Sequence, residues 1–409
     1  MSKIQPSHTV GAIHPWLIIL MAVAAGTIVA NIYYNQPILN DIGASLKASE
    51  TEAGKIAMLA QLGYGLGLFF VLPLGDKINR KDLIITLSST LVLLLAGFAN
   101  ASGLTEIYIL SFLVGLCSVP AQIILPMAAT MDPVNRGKTV GIVFSGILVG
   151  ILGARVLSGL IGDWFGWRYV YGTSAVLVLI TSILLKIYLP DIKPQFKGNY
   201  LTLLRSTFAL VKEYPVLRQA ALLGSFTFGI FCSFWTTLTF HLSSDPLNYS
   251  TATIGLFGLI AIGGALLAPY FGKLADKGDT FRSLLIIMFM LIGSIVAIKV
   301  FPYSVIILII SIFFLDIGVQ ATQITNFTRI YSLHEHAHSR LNTIYMTTYF
   351  IGAAIGTYFG LLAWKLGGWD MATWQMLLWS ILALLAVVIS EWVTRVRTRA
   401  FALKKQALA

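Results

Sequence analysis

Long apolar stretches dominate this sequence and constrain its fold more than any other feature. About twelve runs of about 20 mostly apolar residues follow one another along the 409 residues, and a helix of that length spans the hydrocarbon core of a bilayer. Hydrophobic residues make up 57% of the chain and charged residues only 11%, too few to cover a water-soluble globule. The sequence therefore predicts an all-α polytopic membrane protein with twelve transmembrane helices.

A charged turn between two apolar runs occurs twice in the chain. Pro73–Lys81 reads PLGDKINRK, and Pro269–Gly278 repeats its Pro, Gly, Asp and Lys, with the two aspartates 200 residues apart. Gly166–Arg168 is echoed in the same way by Gly368–Asp370, at an offset of 202 residues. Because these landmarks keep their order and a nearly constant offset, we expect two pseudo-symmetric six-helix bundles.

The polar segments give the expected domain boundaries. They are residues 1–190 for an N-terminal six-helix bundle, 191–215 for a cytoplasmic linker with an interfacial helix, 216–393 for a C-terminal six-helix bundle and 394–409 for a basic cytoplasmic tail. The linker residues from Tyr200 to Val211 keep the apolar spacing of a helix that lies on a membrane surface.

The basic residues predict the orientation. With Lys3 inside, most of the 28 Lys and Arg fall on the inner side, so we expect both termini in the cytoplasm of a bacterium and the protein in its inner membrane. The net charge of +11 then reflects contact with the lipid bilayer, and no nucleic-acid partner is expected. The loop residues predicted to lie outside are Lys47, Lys55, Arg168, Lys299 and Lys365.

A cluster of amides and tyrosines ends the first apolar run. Asn31, Tyr34, Asn35 and Gln36 lie at membrane depth, where amides that face lipid would leave their hydrogen-bond donors unpaired. An interfacial belt of aromatic residues would account for the tyrosines but not for the amides. We therefore expect this segment to line a cavity or to face another helix.

Arg155 is the most costly residue of the fifth span, because an arginine within a span is disfavoured by at least about 2.5 kcal/mol. The helical rise places it about 24 Å from the inner end of that span, at the height of Asn31. One interpretation is an arginine that reaches the outer headgroups. We favour the other, a charge that lines a cavity.

The tenth span carries a polar stripe. Asp316, Gln320 and Gln323 share one helical face, and a carboxylate inside the membrane indicates a proton or ligand site unless the stripe serves helix packing alone. Gln122, in the fourth span, lies between two prolines that free backbone carbonyl groups for a cavity. Trp235 and Tyr345 belong to a set of aromatic residues that would suit apolar ligands.

The segment from His334 to His338 matches the two-histidine zinc-protease pattern. It lies in a short loop with no obvious third ligand, so a solvated loop is the favoured interpretation and an intramembrane metalloenzyme the remote one. Cys117 and Cys232 lie in apolar runs and are expected to pack rather than to form a disulfide. We expect no enzyme, no cofactor and no metal site.

In its two halves, its Gly-Asp-Lys-x-x-Arg-Lys turn and its glycine-rich fifth span, the sequence resembles the major facilitator superfamily, and within it the bacterial drug and sugar efflux branch. The resemblance covers essentially the whole chain. It implies a central cavity lined by spans one, four, seven and ten, and two charged turns that latch the halves in an outward-open state, Asp76 near Arg340 and Asp276 near Arg136. The latch residues it implies are Gly75, Asp76, Lys77, Arg80, Lys81, Arg136, Gly272, Asp276, Lys277 and Arg340.

The sequence and the resemblance together predict a monomeric secondary transporter that exports a small organic molecule in exchange for protons. Asp316 is expected to take up the proton, and Arg155 to bias it or to bind an anionic group. A proton-coupled uptake symporter would use the same parts, and this alternative stays open.

Overall fold

The computed structural model describes residues 14–192, 198–261, 263, 280–334 and 337–408, and α-helix dominates these ranges. A short 3-10 helix, Leu72–Asp76, follows α3. In chain order the α-helices are α1 Pro15–Ala30, α2 Leu39–Leu46, α3 Glu50–Phe70, α4 Arg80–Asn100, α5 Leu104–Cys117, α6 Pro120–Met131, α7 Arg136–Phe165, α8 Trp167–Tyr188, α9 Tyr200–Glu213, α10 Pro215–Ser243, α11 Thr251–Leu256, α12 Thr280–Val300, α13 Val305–Tyr331 and α14 His338–Leu408.

The predicted all-α polytopic fold is confirmed. Within the described residues, nine helical stretches are long and apolar enough to cross a membrane. One of them, His338–Val393, holds two spans, because α14 bends at Gly367 and Gly368, where Gly368 adopts a φ of 59° that favours glycine. Two shorter apolar helices, Pro15–Ala30 and Thr251–Ala261, also occur among the described residues.

Two predicted spans differ in detail from the structure. The first was expected to run to Tyr34, but α1 ends at Ala30 and residues 31–38 continue as buried turns. The amide of Asn31 donates to the carbonyl oxygens of Thr27 and Ile28, and so satisfies backbone groups where the helix ends. The fourth span is divided into α5 and α6 just before Pro120, which has no N–H to continue the helical ladder.

The two halves meet along two pairs of helices. Helix α3 packs against the part of α14 before its bend, and α7 packs against α11. Gln61 of α3 accepts a hydrogen bond of 2.8 Å from Thr357 of α14. Gly159 of α7 and Gly255 of α11 lie so close that a Cβ on Gly159 would come within 2.8 Å of the Gly255 Cα. The interface between the halves is therefore close-packed at these crossings.

The molecule has two distinct ends. The α2 end carries hydrogen bonds between the halves: Asn40 to Ser243, Thr251 to Asp41 at 2.8 Å, and Trp364 to Glu50 at 2.7 Å. The opposite end, which we call the linker end, carries α9, which packs against α14 and the 3-10 helix. The helix predicted within the linker is present as α9.

Candidate functional site

Arg155 lies between the two halves, in the middle of α7. Its side chain is only 1% exposed. The Nε atom donates a hydrogen bond of 2.7 Å to Oε1 of Gln36, which belongs to the turns after α1. Gly255 of α11 and Gly258, just after this helix, lie against the backbone and Cβ of Arg155. The close approach of α7 and α11 thus holds this charge inside the protein rather than at its lipid-facing surface.

Three aromatic rings surround the Arg155 guanidinium. Its central carbon lies 4.4 Å from the ring centroid of Trp235, 5.2 Å from that of Tyr33 and 5.5 Å from that of Phe231. The faces of aromatic rings attract cations, most strongly where water is excluded. The rings therefore compensate part of the cost of burying the charge, but they supply no hydrogen-bond acceptor in the plane of the guanidinium.

Several polar atoms of this cluster lack hydrogen-bond partners among the described residues. They include both terminal nitrogens of Arg155, Nε2 of Gln36 and Nε1 of Trp235, which are all donors, and Oδ1 of Asn35, which is an acceptor. Each unpaired buried polar group costs about 1–3 kcal/mol, and more for a charged group. Such a concentration of unpaired donors indicates a binding site for an acceptor.

Asp316 of α13 is the acidic residue of the cluster and is 2% exposed. It lies roughly 16 Å from the α2 end of its helix, and Arg155 lies roughly 15 Å from the α2 end of α7, so the two charges are at a similar depth. They are close enough to interact electrostatically. Among the ion pairs in the described part of the chain none joins them, and Oδ2 of Asp316 has no hydrogen-bond partner there.

The polar residues after α1 separate into two groups. Gln36 contacts Arg155 in the central cluster, and Thr239 of α10 donates to the Gln36 carbonyl oxygen at 2.9 Å. Asn35, its neighbour in the chain, donates a hydrogen bond of 3.1 Å to the Ile32 carbonyl oxygen. Asn31 instead accepts a hydrogen bond of 2.7 Å from Ser174 of α8, and Tyr34 lies beside the same serine. The structure therefore places Asn31 and Tyr34 against α8, within the N-terminal half, and not with Arg155.

The remaining predicted pathway residues lie nearer the linker end. Tyr345 is fully buried, and its hydroxyl accepts a hydrogen bond of 3.4 Å from Asn326. Gln323 contacts the sulfur of Met346 at 3.7 Å. Gln320 and Gln122 are half-buried, the latter beside Tyr64. These residues thus lie between Asp316 and the linker end. Of this set, Asp316 is the one for which the described residues show an interaction with Arg155.

The predicted latch at the linker end is only partly described. Asp76, Arg136 and Arg340 line one cavity of about 160 Å³. The resemblance implied that Asp76 lies near Arg340 and that Arg136 belongs to the other latch, with Asp276. Asp76 accepts a hydrogen bond of 3.1 Å from Arg80 of its own turn, and the described ion pairs do not include one with Arg340. Gly75 is buried in this turn, Lys77 is exposed and Lys81 half-buried. Gly272, Asp276 and Lys277 lie outside the described residues.

The histidine segment shows no metal geometry in its described part. His338 contacts the carbonyl oxygen of Tyr331 through Nε2 at 2.8 Å. No group of three His, Cys, Asp or Glu that could hold a metal ion occurs among the described residues, which leave out residues 335 and 336. The described geometry gives the metalloenzyme alternative no support.

Some residues of the site were not singled out from the sequence. Phe231 faces Arg155, and Cys232, which was expected only to pack, interacts electrostatically with it. Nothing in the sequence distinguishes a phenylalanine that faces a charge from one that faces lipid. Gln61, which links the halves through Thr357, could have been found, because it is an amide within an apolar run.

Two helical halves that enclose buried opposite charges are the architecture of a secondary transporter. The profile of the Major Facilitator Superfamily matches residues 17–357, and the chain belongs to this superfamily. The predicted superfamily is therefore confirmed, and the drug and sugar efflux branch stays a prediction.

The relatives are bacterial and are named as transporters. This chain is 42% identical over 369 residues to the uncharacterized transporter YgaY of Escherichia coli O157:H7, which covers 89% of this chain and 92% of that protein. It is 30% identical over 260 residues to the probable transporter SCO4007 of Streptomyces coelicolor, covering 63% and 60%. Its fold is similar to that of a bacterial homolog of the human lysosomal transporter Spinster, with a TM-score of 0.72, 14% identity, and 94% and 96% of the chains covered.

Proposed function

We propose that the protein is a proton-coupled secondary transporter that carries a small organic molecule across the bacterial inner membrane by alternating access. The observation that carries this proposal is the pair of opposite charges, Arg155 and Asp316, buried at similar depth between the halves. Ionisable residues inside a membrane protein mark ion and substrate pathways. The sequence contains no Walker A phosphate-binding loop, so an ion gradient is the available driving force.

Export in exchange for protons is the direction that the sequence predicts. In this mechanism the proton and the transported molecule compete for the site. Ionised Asp316 attracts a cation or accepts a hydrogen bond from a neutral molecule, and protonation of the carboxylate removes that interaction. Binding of a proton from outside then releases the molecule, and the empty protonated site returns to the cytoplasm.

Uptake by proton symport is the second candidate, and Arg155 favours it for an acidic molecule. Ionised Asp316 repels an anion and also reduces the positive potential at Arg155. Protonation of Asp316 removes both effects, so a proton and an anion strengthen each other's binding. Two ligands that bind together cross the membrane in the same direction.

The contacts between the halves support alternating access. The hydrogen bonds at the α2 end join the halves there, whereas Asp76 at the linker end pairs with Arg80 of its own turn. If both termini are cytoplasmic, as we propose, the α2 end faces outwards and the site is closed on that side. Exchange of the Asp76 pairing from Arg80 to Arg340 would accompany closure of the linker end.

Proton flux in proteoliposomes tests the function. Compounds from a growth-inhibition panel are added to vesicles with an internal pH dye. Antiport and symport move protons in opposite directions relative to the compound. We expect Asp316→Asn to abolish compound-driven proton flux but to keep counterflow exchange, which needs no net proton movement. Asp82→Asn, an exposed residue at the start of α4, is the control. Normal proton flux in Asp316→Asn would refute the coupling site.

A further inference from the structure

The unpaired atoms around Arg155 define a class of cargo. We propose that the central site binds an organic acid, with its carboxylate against Arg155 and its apolar body along a row of aromatic rings that leads from Trp235 towards the linker end. This inference rests on the proposed transport function, in its proton-symport form, and deepens it by naming the substrate class.

The chemistry of the unpaired atoms favours an anion. Four of the unpaired atoms are donors, on Arg155, Gln36 and Trp235, and two are acceptors, Oδ1 of Asn35 and Oδ2 of Asp316. Gln36 and Trp235 both contact Arg155 directly. A carboxylate carries only acceptors, and its two oxygens match the two terminal nitrogens of an arginine in a bidentate pair. A cation would meet the positive charge of Arg155 instead.

The orientation of Arg155 is set by its surroundings. Gln36 takes up the Nε hydrogen, and Thr239 holds the backbone of Gln36 to α10. The face of Trp235 fixes the plane from a second side. Both terminal nitrogens are thereby left available in one direction, which is the arrangement that a bidentate ligand needs.

A row of buried rings extends from the charge. Successive ring centroids lie 6.2 Å apart from Trp235 to Phe231, 5.6 Å from Phe231 to Phe228, 3.9 Å from Phe228 to Tyr349 and 5.7 Å from Tyr349 to Tyr345. The step from Trp235 to Phe228 spans roughly 10 Å of α10 towards the linker end. This row suits an acid with an aromatic or alkyl body several carbon atoms long.

Asp316 makes the binding of such an acid dependent on pH. The titratable described groups around the two charges are Tyr33 after α1, Cys232 of α10 and Tyr349 of α14. The cargo binds more tightly when Asp316 is protonated, because a neutral Asp316 no longer repels the cargo carboxylate. Ionisation of Asp316 at higher pH is therefore expected to lower the affinity, while the cargo itself stays ionised.

Matched acids and amides test the inference. Purified protein in detergent is titrated by calorimetry with benzoate, 4-phenylbutanoate and decanoate, and with the corresponding neutral amides. We expect at least one acid to bind about tenfold or more tightly than its amide. Arg155→Gln should remove this preference, and Arg155→Lys should keep part of it. Arg168→Gln, which alters another arginine stacked on a tryptophan, should leave the preference within about twofold.

The outcomes separate the cargo class from the transport function. Equal binding of acids and amides, no binding of any of the three acids, or an unchanged preference in both Arg155 variants would overturn the inference. In that case, a proton-coupled flux of neutral compounds that is lost in Asp316→Asn would still support the proposed transport function. The protein could instead bind acids tightly through Arg155 while its vesicles show no coupled flux with any compound. That result would support the cargo class and refute the proposed transport.

Discussion

Two arginines of this protein lie over tryptophan rings, and their surroundings are opposite. Arg168 lies 4.2 Å from the ring centroid of Trp167, is half-buried, and donates through its terminal nitrogens to the Ala101 carbonyl oxygen and the Ser45 hydroxyl. Arg155 lies 4.4 Å from the centroid of Trp235 and is almost completely buried. Its terminal nitrogens have no hydrogen-bond partner in the described part of the chain.

The difference is the one expected between an arginine that stabilises the fold and one that binds cargo, the role we propose for Arg155. The hydrogen bonds of Arg168 tie α8 to α2 and to the end of α4, so the residue stabilises the fold. Arg155 has lost its water without gaining full hydrogen bonding, and a buried charge of this kind lowers stability. Such a residue persists where binding of a ligand restores the missing interactions.

Methionine substitutions give the largest contrast between the two arginines. In an Asp316→Asn background, which leaves no uncompensated carboxylate behind, Arg155→Met fills a similar volume without a buried charge, so we expect it to stabilise the protein by about 1–4 kcal/mol. Arg168→Met loses two hydrogen bonds and should destabilise it by about 1–3 kcal/mol. Unfolding midpoints in detergent measure both changes. Transport of the cargo should be lost in Arg155→Met and retained in Arg168→Met.

A fall in stability for Arg155→Met equal to that of Arg168→Met would contradict the comparison. It would mean that Arg155 is held by interactions as favourable as those of Arg168, and the unpaired donors would no longer indicate a ligand.

The fold and the two central charges could be predicted because the membrane makes them conspicuous. The length of an apolar run is set by the bilayer, and an ionisable residue inside such a run stands out against it. Arg155 and Asp316 were found in this way, and both are buried at similar depth. Phe231 carries no such signal, because an apolar residue of a span can face lipid, a neighbouring helix or a cavity.

The sequence alone could not show where the polar side chains point or which residues they contact. Asn31 and Gln36 are five residues apart, yet one contacts α8 and the other Arg155, because α1 ends at Ala30 and both amides lie in the turns that follow it. Asp76 shares one cavity with three arginines, Arg80, Arg136 and Arg340. Which of them it contacts depends on the packing of the halves at the linker end, which no local pattern encodes.

Alanine substitutions at two glycines of α7 test what positions Arg155. A Cβ on Gly159 would come within 2.8 Å of both the Gly255 Cα and the Thr251 carbonyl oxygen. Gly159→Ala should therefore force α7 and α11 apart at a cost of about 1–3 kcal/mol and weaken acid binding. Gly153→Ala, where nothing lies within 4 Å, should stabilise α7 by up to about 1 kcal/mol. Unfolding midpoints and calorimetry measure these effects, and equal behaviour of the two variants would show that the crossing does not hold Arg155.

The smallest expected effect concerns α2, the helix that Arg168 contacts. Asp41 of α2 accepts a hydrogen bond of 2.8 Å from Thr251 across the halves. Burial raises the pKa of Asp41 above its ordinary value of 3.8, the hydrogen bond from Thr251 opposes the rise, and the charge of Asp163 adds to it. The closed α2 end thus holds a proton more tightly than a solvated carboxyl does. Contact between the halves should strengthen as the pH falls towards 3.8 and weaken as it rises above the raised pKa.

Spin labels on Ala44→Cys of α2 and Ala252→Cys of α11 report the separation of the halves at this end, since the native Cys117 and Cys232 are buried. Asp41→Asn keeps a hydrogen-bond acceptor for Thr251 but cannot ionise, so the population with a short label distance should lose its pH dependence in this range. The change corresponds to about 1 kcal/mol or less, because the carboxyl is only partly buried. A pH dependence that persists in Asp41→Asn would assign the effect to another group, and the α2 end would then be closed by packing and neutral hydrogen bonds alone.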